Sequence, residues 1–348
     1  MNPFVLSVFL ISLGLGTTLT FMSSHWLLAW MGLEINTLAI IPLMAQKHHP
    51  RAVEATTKYF LIQATAAAMI LFAATSNAWM FGVWDINQTH HPVISAIVMT
   101  ALALKVGLAP LHLWLPEVLQ GVTLMTGLIL STWQKLAPLA LIMQASNNAH
   151  PALLTSLALC STLVGGWGGL NQTQIRKILA YSSIAHLGWM ILVSQMAPKI
   201  ALIALMTYIT MTSAAFLGLI NINSTKTITL ASTWTKAPTL AALMCLVLLS
   251  LGGLPPLTGF MPKWLIIQEL ATQKLASIAT VIALTALLSL YFYLRLTYAI
   301  TLTLSPQTSS ATTPWRIQAK KLTLALSFTI ILALCLLPIT PTIFILLT

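Results

Sequence analysis

The sequence predicts an all-α polytopic membrane protein of about eleven transmembrane helices, arranged as antiporter-like inverted five-helix repeats with two discontinuous helices. Three observations carry that prediction. Hydrophobic residues fill 58% of the 348 positions and charged residues only 6%, where soluble chains hold roughly 45–50% and 25%. So few charges do not clothe a water-facing surface of this size, and the outside must face lipid or other membrane proteins. Apolar stretches of about 20 residues, the length that crosses roughly 30 Å of hydrocarbon, recur along the whole chain. A proline-rich motif occurs twice, 146 residues apart.

The apolar stretches are 3–22, 25–45, 59–81, 93–112, 122–145, 150–170, 174–195, 199–222, 238–270, 275–301 and 322–346. The ninth is too long for a simple crossing and holds Pro255-Pro256 and Pro262. The fourth meets Pro110 and Pro116 soon after Lys105-Val106-Gly107. Proline lacks an N–H and clashes with the preceding turn, so both stretches are predicted to be broken helices. Met1-Asn2-Pro3 leads directly into apolar residues without a basic, serine-rich transit segment or a small-residue cleavage site. The expectation is insertion where the chain is made, in a bacterial inner membrane or an organelle with its own synthesis.

Loop charges orient the chain. On the side of the N-terminus, Lys47, Arg51, Lys58, Arg176, Lys177, Lys226, Lys236, Arg316, Lys320 and Lys321, less Glu54 and Glu117, leave +8. The opposite loops, with Asp85, Lys199, Glu269 and Lys274, sum to zero. Positive loops stay on the side of synthesis, which places the N-terminus in the cytoplasm or matrix and, with an odd number of crossings, the C-terminus outside. Glu34, Lys105, Lys135, Lys263 and Arg295 fall inside spans and supply the remaining +3 of the net +11.

The repeated motif aligns Gly107-Leu-Ala-Pro-Leu-His-Leu-Trp-Leu-Pro-Glu117 with Gly253-Leu-Pro-Pro-Leu-Thr-Gly-Phe-Met-Pro-Lys263 without a gap. Five predicted crossings separate the copies, so they are expected in opposite orientation. The repeats cover approximately 3–145 and 150–301 of a single membrane domain, 1–348, followed by an extra helix at 322–346. Such inverted repeats place ion sites at discontinuous helices near the midplane. Backbone groups freed at a break are tolerated only in protein or along water, so the two breaks mark a hydrated interior.

The in-span charges are the candidate site. Lys105 and Lys135 lie about twelve and thirteen residues into their spans, roughly 18 Å deep at 1.5 Å per residue. Glu34 lies about nine residues into the second span, and Lys263 closes the second broken motif. A charge at the bilayer centre costs at least about 2.5–3.5 kcal/mol, so such residues face a cavity or a partner. A low-dielectric site disfavours the charged form of either type, whereas an opposing glutamate favours the ammonium. A glutamate that moves relative to a lysine therefore switches its proton affinity, and Glu34 with Lys105 is the candidate pair. His112 in the first motif and His186 in Tyr181-Ser-Ser-Ile-Ala-His-Leu-Gly188 are possible relays, because imidazole exchanges protons near neutral pH; packing histidines are the equal alternative. Ser182 and Ser183 are suited to hold water beside His186. Arg295, preceded by Tyr291-Phe-Tyr293, reads as an interface anchor, and Glu54, Asp85 and Glu269 as loop charges.

Other chemistry is excluded or unsupported. The positive charges form no stripe that tracks a phosphate backbone, so no nucleic acid partner is expected. Cys160, Cys245 and Cys335 lie in separate apolar stretches, without the clustering that zinc or iron–sulfur sites need, and read as packing residues. The pairs His48-His49 and His90-His91 are sequence neighbours that diverge on a helix, so no metal site is expected. No glycine-rich phosphate loop follows a strand pattern.

Several stretches together are specific: Trp30-Met-Gly-Leu-Glu-Ile-Asn36, Lys58-Tyr-Phe-Leu-Ile-Gln-Ala64, Lys105-Val-Gly-Leu-Ala-Pro-Leu-His-Leu-Trp-Leu-Pro116, Ser131-Thr-Trp-Gln-Lys-Leu-Ala-Pro138, and the segments 181–188 and 254–263. Through them the whole chain resembles the mitochondrially encoded antiporter-like membrane subunits of respiratory complex I, the proton-pumping NADH:ubiquinone oxidoreductase. The resemblance implies proton carriage by a glutamate on an early span and by lysines on and between the broken helices, which map to Glu34, Lys105, Lys135 and Lys263. It implies no cofactor on this chain; NADH, FMN, iron–sulfur clusters and ubiquinone belong to other subunits. It implies, as partners, other membrane subunits of the complex, neighbouring antiporter-like ones among them, and membrane lipid. The implied location is the mitochondrial inner membrane, multi-pass, with the N-terminus in the matrix and the C-terminus in the intermembrane space. Two other readings stay open on the residues alone. Buried lysines serve a stand-alone or multi-subunit cation/proton antiporter as well as a redox-driven pump. A membrane scaffold held together by its charges is the third reading, against which the repeated breaks argue.

Overall fold

The computed structural model describes residues 3–46, 49–89, 91–235, 237–302 and 323–342. Its contacts divide the chain into two compact units, Met1–Ser161 and Thr162–Thr348. The first holds α1 (Pro3–Met22), α2 (Trp26–Met44), α3 (Pro50–Phe81), α4 (Pro92–Val106), α5 (Trp114–Gly121), α6 (Leu124–Ser131), α7 (Trp133–Ala145) and most of α8 (Pro151–Gly168). The second holds α9 (Ile175–Ser194), α10 (Pro198–Ile222), α11 (Thr227–Ala231), α12 (Pro238–Gly252), α13 (Phe260–Thr272), α14 (Ala276–Thr301) and α15 (Thr323–Cys335). Among the described residues seven helices, α1, α2, α3, α8, α9, α10 and α14, are long and apolar enough to cross a membrane. The protein is therefore an all-helical, polytopic membrane protein. Large apolar side chains such as Phe4, Met22, Phe72, Trp79 and Leu324 point outward, the reverse of a water-soluble surface.

The helix ends follow local chemistry. Proline opens α3, α4, α10 and α12, where its missing N–H costs nothing. The Nδ1 atoms of His25, His49, His91 and His150 accept the first free backbone N–H of α2, α3, α4 and α8 at 3.2–3.3 Å. That accounts for His49 and His91; their neighbours His48 and His90 lie outside the described residues, as do Lys47, Lys236, Arg316, Lys320 and Lys321. Gly107 and Gly253 end α4 and α12 at φ 87° and 79°, left-handed conformations that a side chain disfavours.

Both predicted breaks are present, and in the same register. α4 and α12 each span fifteen residues from a proline, and α5 and α13 each begin seven residues after the cap glycine. Each break contains one cis X-Pro bond, Ala109-Pro110 and Pro255-Pro256.

Three expectations need correction. The stretch 122–145 is two helices, interrupted at Thr132 (φ −111°, ψ −69°). α3 begins at Pro50, nine residues before the predicted span, because Pro50 and the His49 cap start it. Glu54 and Lys58 thus stand on a helix, where Lys58 bridges Glu54 at 2.7 Å and Glu117 at 2.8 Å; Glu269 likewise lies on α13. The cysteines also divide: Cys245 is buried, whereas Cys160 and Cys335 are on exposed helix faces, so the packing reading holds for Cys245 alone. Arg295 is exposed, with Nη1 donating to the Leu170 carbonyl at 2.5 Å.

Candidate functional site

The three in-span lysines share a setting that the span depths did not reveal. Lys105 lies in the last turn of α4, Lys135 is the third residue of α7 and Lys263 the fourth of α13. Each therefore stands within one turn of a helix break, where carbonyls lose their intrahelical partners.

In the first unit, Lys105 and Lys135 line one cavity with Leu33, Asn36, Thr37, Tyr59, Gln63 and Gln134. The space open to water centres there is about 20 Å³. Lys105 is 5% exposed and Lys135 2%. The Lys105 Nζ has no hydrogen-bond partner among the described residues. The carbonyls freed by the break are taken instead by neighbours: Trp114 Nε1 donates to the Leu104 carbonyl at 3.1 Å, and Gln63 Nε2 to that of Lys105 at 3.3 Å. Tyr59 packs edge-on against Trp114, ring centroids 5.7 Å apart, and closes that side.

The Glu34–Lys105 pair does not form as a contact. The ion pairs among the described residues are those of Lys58. Glu34 is half-buried, and its Oε2 accepts from the Thr37 hydroxyl at 2.9 Å. A carboxylate at that position needs no contact to act on Lys105, because Coulomb interaction in a low-dielectric interior reaches beyond contact distance. His112 lies in the same break as Lys105 and is buried, but its ring bonds the Pro110 backbone and it does not line the cavity.

In the second unit, Lys263 and His186 line a smaller cavity of about 10 Å³ with Trp189, Thr207 and Met211. Here the ammonium is bonded: Lys263 Nζ donates to the Gly252 carbonyl at 2.7 Å. His186 lies against Tyr208, ring centroids 5.6 Å apart, and Tyr208 bonds the Ser183 hydroxyl. Ser182 and Ser183 are buried and turn their own hydroxyls back to the Leu179 and Ala180 carbonyls. They are engaged with protein rather than aimed into the cavity.

Four polar residues at the first cavity were not singled out from the sequence: Asn36, Thr37, Gln63 and Gln134. Their signal was present, since a neutral amide inside an apolar helix needs a partner as a charge does. Pro138 adds to it, because a proline frees the carbonyl four residues earlier, that of Gln134.

Comparisons with known proteins show which family and fold the chain shares. Residues 23–289 match the NADH:quinone oxidoreductase/Mrp antiporter transmembrane family, and residues 290–344 the NADH dehydrogenase subunit 2 C-terminal family. A goldfish (Carassius auratus) protein named NADH-ubiquinone oxidoreductase chain 2 is 69% identical over 99% of both chains. The zebrafish (Danio rerio) protein of that name is 66% identical over the full length of both. Among solved structures, a chain of respiratory complex I from Thermus thermophilus superposes with a TM-score of 0.82 at 29% identity, covering 96% of this chain and 80% of that one. A chain of the Mrp complex from Dietzia sp. shares the fold, with a TM-score of 0.84 at 18% identity over 97% of this chain and 76% of that one.

Proposed function

Since the chain belongs to the NADH:quinone oxidoreductase/Mrp antiporter family of membrane proteins, we propose that it carries protons across the mitochondrial inner membrane through Glu34, Lys105, Lys135 and Lys263. It is a membrane subunit of NADH:ubiquinone oxidoreductase, respiratory complex I, and the redox chemistry takes place on other subunits. The observation that carries the reading is the setting of the lysines. All three stand at helix breaks beside cavities, where an ammonium exchanges protons with water or a neighbouring base without crossing hydrocarbon. His186 shares the Lys263 cavity and is the relay of the second unit; His112, buried in the first break, is the relay candidate of the first. Neighbouring antiporter-like subunits and membrane lipid cover the outward apolar faces, the N-terminus faces the matrix and the C-terminus the intermembrane space. The register shared by the two breaks supports inverted repeats over approximately 3–145 and 150–301, with 322–346 as an added helix.

Glu34 acts as the switch. Drawn toward Lys105, it holds the ammonium; drawn away toward Thr37, it lets the proton leave. The test is Lys105→Ala in the intact complex reconstituted into vesicles, with the exposed Lys199→Ala as control. The expected result is a loss of proton pumping and of coupled turnover on the order of a hundredfold, with the complex assembled and the control unaffected. Parental pumping by Lys105→Ala overturns the reading and leaves a scaffold role in its place.

A further inference from the structure

We propose that the groove between the end of α8 and the second half of α14 binds one phospholipid with an anionic headgroup. Arg295 holds the headgroup phosphate, and an acyl chain lies along α14. The inference rests on the membrane setting of the chain and not on proton carriage.

Glycine lets the end of α8 meet α14. A Cβ on Gly166 would press on Leu288, and one on Gly169 on the Phe292 ring. That contact is the floor of a groove of about 770 Å³, within the roughly 300–1,000 Å³ of sites that take organic ligands. Trp167, 73% exposed, and Tyr291, 59% exposed, line it from the two helices. Asn171 and Gln172 of the loop after α8 line it as well.

The charge at the groove has no acid to balance it. Nη1 of the exposed Arg295 donates to the carbonyl of Leu170, a residue that lines the groove. A guanidinium has five N–H donors in a fork that matches a phosphate, and one carbonyl does not exhaust them. The ion pairs among the described residues are those of Lys58. Residues 162–348 contain a single acid, Glu269. It precedes α14, and Arg295 lies roughly 28 Å along that helix from its first residue. Arg176 and Lys177 add positive charge in the first turn of α9, just after the loop. An arginine on an apolar face is costly without a partner, and basic pockets between membrane helices take anionic headgroups.

Length separates a lipid from an acidic side chain of a neighbouring protein. Leu284, Leu287 and Tyr291 are exposed on the face of α14 that carries Arg295, at helical spacing. From Arg295 back to Leu284 is about 16 Å at 1.5 Å per residue. One leaflet supplies about 15 Å of hydrocarbon, half of the whole. The cation and the apolar strip together are thus as long as one lipid. Trp167, Tyr291 and the exposed Tyr298 flank the charge, as aromatic rings do at headgroup level.

The experiment uses the intact complex, stripped of lipid in detergent and titrated with photoactivatable phosphatidylglycerol or phosphatidylcholine. The labelled peptides are mapped, and half-saturation is compared among the parent, Arg295→Gln, Arg295→Lys and the control Lys199→Ala. Phosphatidylglycerol is expected to label the peptides that carry Trp167 and Tyr291, and to saturate them below phosphatidylcholine. Arg295→Gln is expected to weaken that labelling about tenfold, the worth of a hydrogen bond to a charged group. Arg295→Lys, which keeps the charge and loses the fork, is expected to fall between, and Lys199→Ala to match the parent. Equal labelling of the parent by both lipids overturns the proposal, as does parental labelling of Arg295→Gln. Labelling by neither lipid overturns it too and gives the groove to a protein neighbour. Should Arg295→Gln fail to assemble, the comparison of the two lipids on the parent decides by itself.

Discussion

The two helix breaks have nearly the same backbone and satisfy it in different ways. In the first, the carbonyl of Leu104 takes the indole N–H of Trp114 and that of Lys105 takes the Gln63 amide. In the second, the position matching Trp114 is Phe260, which has no N–H to give. There Gly259 packs against the Ser250 carbonyl so closely that a Cβ would overlap it, and Lys263 bonds the carbonyl of Gly252. The lysines thus approach the breaks from opposite ends. Lys105 lies two residues before its glycine and caps nothing; Lys263 lies ten residues after its glycine and caps the helix it follows. A break creates a need for donors, and whichever side chain meets that need is less free to exchange a proton. The first unit meets it with neutral side chains, which leaves its ammonium facing a cavity.

The largest effect that would break this comparison is at Gly259. Its counterpart Leu113 is 68% exposed, so the two matched positions differ in space and not in backbone. Gly259→Ala is expected to destabilise the subunit by about 3 kcal/mol, the upper range for overpacking, and to deplete assembled complex on native gels. Leu113→Ala is expected to assemble normally. Equal assembly of the two variants would mean that the second break is as open as the first.

A middle effect separates the lysines. Lys263→Met removes the donor to the Gly252 carbonyl and is expected to cost about 1.5–3 kcal/mol, the worth of a hydrogen bond from a charged group. Lys105→Met replaces a partnerless buried ammonium with an apolar chain of similar shape and is expected to leave stability equal or higher. Thermal unfolding of the assembled complex reads both, and pumping is expected to fall in both. A lower melting temperature for Lys105→Met would show that its ammonium caps the break after all.

The smallest effect sharpens the account of the first break. Trp114→Phe recreates the aromatic of the second motif and removes the bond to Leu104 at a cost of about 1 kcal/mol. Pumping is expected to persist, with a small drop in melting temperature. A Trp114→Phe variant that stops pumping would place Trp114 in the proton path itself.

How far the sequence could be read differs along the chain for a physical reason. The breaks at 107 and 253 were legible because glycine at positive φ and proline without an N–H act locally, whatever surrounds them. The interruption at Thr132 was not, since neither residue type stands there; its hydroxyl turns back to the Leu128 carbonyl at 2.7 Å. Glu34 and the lysines were legible as isolated charges in apolar stretches, and the family resemblance named the same residues. The missing Glu34–Lys105 contact was not legible, because it depends on where α2 and α4 hold their side chains.

By itself the sequence determined the class of protein, the membrane setting and the two breaks. Those follow from transfer energies and backbone limits that each segment has on its own. Only the tertiary structure decided which polar groups meet. It placed Lys105, Lys135, Asn36 and Gln134 on one cavity, gave Lys263 a carbonyl and His186 the same small cavity, and turned Glu34 toward Thr37. Hydrogen bonds act over about 3 Å, a distance that packing between helices sets and spacing along one helix does not.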